Sequence, residues 1–98
     1  MTILRFIYQA TACSGDHPGK SAFWYVYVLE PVIDRAKGKA ESYIQKRGWV
    51  PHQCKEVNLL SHQISESNVL DFPMARRAMI EGICGECYSG EELELLAG

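Results

Sequence analysis

The chain has 98 residues, 47% of them hydrophobic, with a formal charge of −2 and four cysteines. That length suits one domain, residues 1–98, with a core of its own. The composition excludes collagen-like, low-complexity and disulfide-dense chains. The absence of a basic excess argues against nucleic acid as the partner, because neutralising phosphates needs surplus Lys and Arg. The opening MTILRFIYQATAC is too short and too polar in alternation for a signal h-region, and no stretch approaches a membrane span. The expectation is a cytoplasmic chain with reduced thiols and no membrane partner.

Thr2 to Ala12 alternates between Leu4, Phe6, Tyr8, Ala10 and Ile3, Arg5, Ile7, Gln9. That is a strand with one core face and one mixed face. Cys13 to Lys20 carries two glycines and a proline and reads as a loop between antiparallel strands. Ser21 to Glu30 is the most apolar and aromatic run. Ala22, Trp24, Val26 and Val28 point one way, and Phe23, Tyr25, Tyr27 and Leu29 the other. Both sets are apolar, so both faces should lose water to something.

From Val32 the apolar residues Ile33, Ala36, Ala40, Tyr43 and Ile44 follow a helical period, and Gly48 suits the left-handed stop after Lys46 and Arg47. Trp49 to Leu60 reads as a third strand, at an edge because Pro51 cannot donate to a ladder. Ser61 to Asn68 reads as a loop with some strand character around Gln63 to Ser65. A second helix opens at Asp71-Phe-Pro, with Asp71 as its cap, and its stripe of Met74, Ala75, Ala78 and Met79 extends to Ile83. After residue 89, EELELL forms a short third helix or a frayed tail.

The order β-β-α-β-α predicts an α+β domain with a three-stranded mixed or antiparallel sheet. The first strand lies between the other two, in a split crossover of the ferredoxin-like kind, or pairs outside them. In the split layout both helices pack on one face and the other face stays uncovered. The expected core is Leu4, Phe6, Tyr8, Val26, Val28, Ala36, Ala40, Ile44, Met79 and Ile83.

Chemistry is sparse. Cys84-Gly-Glu-Cys87 has the spacing to close a disulfide or share a zinc ion, but it lacks a second matching pair and follows a helix, where the dipole raises rather than lowers a thiol pKa. His17 and His52 are candidate bases without a visible partner. Trp24, Tyr25, Tyr27, Arg5 and His17 are the candidate binding residues. Two classes of function follow. One is a non-catalytic binding or assembly module without a cofactor, which uses the uncovered sheet face to form a homodimer or to hold a protein or small molecule. The other is a thiol-redox or zinc protein that uses Cys84 and Cys87.

Overall fold

The computed structural model describes residues 2–13, 19–60 and 71–97, with the side chains of residues 96 and 97 outside that description. The expectations for His17, for the loop after Ser61 and for strand character around Gln63 to Ser65 lie outside the described residues. The elements are β1 (Ile3–Ala12), β2 (Ser21–Leu29), α1 (Ile33–Lys46), β3 (Trp49–Leu60), α2 (Asp71–Glu81), β4 (Ile83–Tyr88) and α3 (Gly90–Ala97).

The four strands form one sheet in the order β3-β1-β2-β4, and all neighbouring pairs are antiparallel. β1 lies between β2 and β3, as the split crossover requires. The three-stranded expectation fails on β4, which adds a fourth strand beside β2. The reason lies at Gly82. Its φ of 89° places it in the left-handed region, its N–H closes on Ala78, and α2 stops at Glu81. Ile83 therefore does not continue the helical stripe. It is the first residue of a strand and pairs with Val28.

The two-helices-on-one-face expectation also fails. Ala36, Ala40 and Ile44 of α1 pack on Leu4, Phe6, Tyr8, Trp24, Val26 and Val28. Met74, Ala75 and Ala78 of α2 pack on Ile3, Tyr27 and Cys84, which belong to the opposite set of each strand. The two-sided apolar pattern of β2 is thus used on both sides, and α2 occupies part of the face expected to be bare. Met79 turns outward and is 45% exposed, so it is not core. α3 forms because Ser89 and Glu92 cap it reciprocally: Glu92 N–H donates to Ser89 Oγ at 3.1 Å, and Ser89 N–H to Glu92 Oε1 at 3.5 Å. No described helix is long and apolar enough to cross a membrane.

Candidate functional site

Strand register sets a row of side chains across the α2 face. Arg5 of β1 stands opposite Asn58 of β3 and Tyr27 of β2, and Tyr27 stands opposite Cys84 of β4. The first residue of α2 comes down on this row. Arg5 Nη1 donates to both carboxylate oxygens of Asp71 at 2.8 Å, and Nη2 donates to Asn58 Oδ1 at 2.9 Å. The Tyr27 hydroxyl donates to Asp71 Oδ1 at 2.5 Å. Asp71, expected from the sequence as the cap of α2, is also a buried ionic partner. Burial works against the Arg5 charge, but the hydrogen bond and attraction to Asp71 outweigh it and raise the pKa. Burial, then Asp71, pushes the Tyr27 hydroxyl well above the usual phenol range. Tyr27 therefore keeps its proton and Arg5 its charge at neutral pH.

Of the residues nominated from sequence, Arg5, Tyr25 and Tyr27 come together here. Tyr25 lies under the Arg5 guanidinium, 5.8 Å from its ring centre, and meets Tyr88 edge-on at 5.3 Å. Trp24 does not join them. It points to the α1 face and sits edge-on to Tyr43 and Trp49.

Cys84 and Cys87 fall on β4, three residues apart, so a strand's period of two sends them to opposite faces. Cys84 packs with α2, and its thiol donates to the Met74 carbonyl at 3.0 Å; Cys87 packs beside the α1 cluster. Their sulfurs do not converge on one point, which a disulfide or a shared zinc requires. Burial pushes the Cys84 thiol up to about 11 and raises Cys87 as well, away from thiolate reactivity. Among the described residues no group of three or more His, Cys, Asp or Glu is placed to hold a metal. The glycine between the cysteines has a packing explanation. A Cβ on Gly85 would stand 2.6 Å from Cε1 of Tyr43, whose hydroxyl accepts the Gly85 N–H at 2.9 Å. His52 lies on the exposed face of β3, with Nε2 2.8 Å from Thr11 Oγ1.

The two edges of the sheet differ. β4 has α3 against it and the Tyr43 hydroxyl on Gly85. No described element pairs with the free edge of β3. The first half of β3 is interrupted by two register shifts and by Pro51, and it carries Lys55; the half from Glu56 to Leu60 is regular. Val57 and Leu59 of that half pair with Phe6 and Leu4, on the α1 face, but α1 does not reach over them.

Sequence reasoning missed one gathering of charge. Arg35, Lys39 and Lys46 of α1, Arg47 just after it and Arg77 of α2 line one open groove. The helical spacing of residues 35, 39 and 46 was the available signal; net charge concealed it. No family model matches this chain, and no curated protein or solved structure does either.

Proposed function

We propose that the chain is a small, non-catalytic binding and assembly module that joins a second copy through the free half of β3. The observation that carries this reading is an edge that is apolar at Val57 and Leu59 and unpaired among the described residues. Leu59 is 71% exposed and Val57 42%, and Val32 and Ile33 are exposed where α1 starts, at the same end of the sheet. Edge strands of soluble proteins are normally blunted by proline, lysine or bulges. In β3 the proline, the lysine and the register shifts fall in the first half, and Glu56 is the one charged residue of the second. Antiparallel pairing of two such edges about a two-fold axis would continue the sheet across both copies and cover the four apolar residues.

The non-catalytic part of the reading rests on what the close polar contacts do. Arg5–Asp71, Tyr8–Glu41 and Tyr43–Gly85 each tie one element to another. These contacts hold the fold together and leave their groups engaged.

Light scattering at micromolar protein tests the reading. The expected mass is twice the 11.1 kDa of the chain. The pair Val57→Lys and Leu59→Lys should return it to a folded monomer whose thermal midpoint no longer rises with protein concentration, because both residues are exposed in the single chain. A wild-type monomer at the highest attainable concentration overturns the proposal.

A further inference from the structure

We infer that the groove between α1 and the start of β4 binds a phosphorylated small molecule of about nucleotide size. This site is separate from the β3 edge and does not depend on it.

The groove has a volume of about 910 Å³, within the range of roughly 300–1,000 Å³ usual for small-molecule sites. Its floor includes Leu29, Ile83 and Tyr43. Its walls carry five cationic side chains against one carboxylate, Glu81. The local charge is only partly answered within the chain. Lys39 meets Glu30 at 3.0 Å, and Arg77 meets Glu81 at 3.5 Å. The Arg47 guanidinium lies 3.3 Å over the Tyr43 ring and donates to the Tyr43 carbonyl. Arg35 and Lys46 have no carboxylate within ion-pair distance among the described residues. Like charges brought into one concavity repel, and an anion relieves that repulsion.

A second observation is independent of charge. Gly38 lines the groove from the middle of α1, where glycine is a poor helix former compared with alanine. A Cβ there would meet nothing within 4 Å among the described residues, so their packing does not call for glycine. Bare backbone at this point leaves room for a ligand to come close.

The ligand class follows from charge density and shape. Arginine forks match phosphate oxygens two at a time, and Ser42 adds a hydroxyl to the wall. Arg35 and Lys46 are separated by about 16 Å along the helix axis, which a nucleotide-sized molecule spans. A nucleic-acid strand fits less well. The chain as a whole is at −2, so its surface outside this basic groove is acidic and repels a long polyanion.

Calorimetric titration of the full chain with ATP, inorganic pyrophosphate, citrate and a single-stranded oligonucleotide tests the inference. ATP and pyrophosphate should bind at one site per chain. Arg35→Glu with Lys46→Glu should weaken ATP by roughly tenfold or more, while the thermal midpoint stays put because both side chains are exposed. Gly38→Leu should weaken ATP without changing charge. Lys55→Glu, on β3 and outside the groove, should leave binding as it is. Four results each overturn the inference: no binding of ATP or pyrophosphate, citrate binding as tight as ATP, equal loss in Lys55→Glu, or an oligonucleotide bound far more tightly than ATP.

Discussion

The two faces of the sheet are closed by different physics. On the α1 face ten buried residues among those described form a cluster dominated by apolar side chains, and the Tyr8 hydroxyl donates to Glu41. On the α2 face the described buried cluster is Ile3, Tyr27, Met74, Ala75, Ala78 and Cys84, and Tyr27 joins it to the polar group of Arg5 and Asp71. The first face draws its stability from area removed from water, which is non-directional and tolerant of exchange at constant volume. The second depends on each polar group keeping its partner, because an orphaned buried charge costs more than the intact pair contributes.

The sharpest way to probe the first face is to remove volume. Ile44 is fully buried against the strands, so Ile44→Ala should destabilise by about 3–5 kcal/mol in a denaturant titration. A loss under about 1 kcal/mol would show that α1 does not close this face. The second face should respond to chemistry instead. Asp71→Ala should cost about 2–3 kcal/mol by leaving Arg5 charged and partly buried, whereas Arg5→Met with Asp71→Leu should recover most of that loss. If the double variant is no better than the single, the face is held by area after all, and the contrast between the faces disappears.

The contrast also has a pH signature. Folding raises the Cys84 thiol from 9.0 to about 11, so the folded chain keeps a proton that the unfolded chain gives up. The contribution is complete below about pH 9 and is lost as pH rises towards 11, with a loss of about 1 kcal/mol by pH 10. Tyr8 and Tyr27 are raised by burial in the same sense, which deepens the fall at higher pH. Urea midpoints at pH 8 and pH 10 should therefore drop less in Cys84→Ala than in the wild type; equal drops would remove Cys84 from the account. The smallest effect should come from Met79→Gln, within about 0.5 kcal/mol, because the side chain is largely in water. A larger loss would mean that α2 packs through its outer face too.

The first sixty residues were legible because their periods are clear. β3 has the bounds read from sequence, and β1, β2 and α1 differ by a residue or so at their ends. β2 carried the clue to a sheet covered on both faces, but with only two helices counted on one side that clue went unused. β4 was illegible as a strand because ICGECY is short, has a glycine inside it, and begins with an isoleucine that extends the stripe of α2 by one helical turn. Gly82 is the residue that stops α2, but a glycine inside a helical pattern also reads as a close-packing residue. Arg5, Tyr25 and Tyr27 were recognisable as unusual on a strand face. Their joining by Asp71 was not, because the residues are 66 apart and the carboxylate sits where a cap is expected.

The polar row on the α2 face has a bearing on the order in which the chain assembles. Chains are made from the N-terminus, and β1, β2, α1 and β3 are complete before α2 exists. The apolar cluster under α1 can close at that point, from residues close in sequence. The opposite side of the nascent sheet must wait. During that interval Arg5, the Tyr27 hydroxyl, Asn58 and Glu56 keep its middle hydrated and charged, where an all-apolar surface would invite aggregation. Asp71 then arrives as the neutralising group, and β4 follows it onto the waiting side of β2. The groups that receive Asp71 therefore leave the middle of this half of the sheet wettable in any chain that does not yet carry α2.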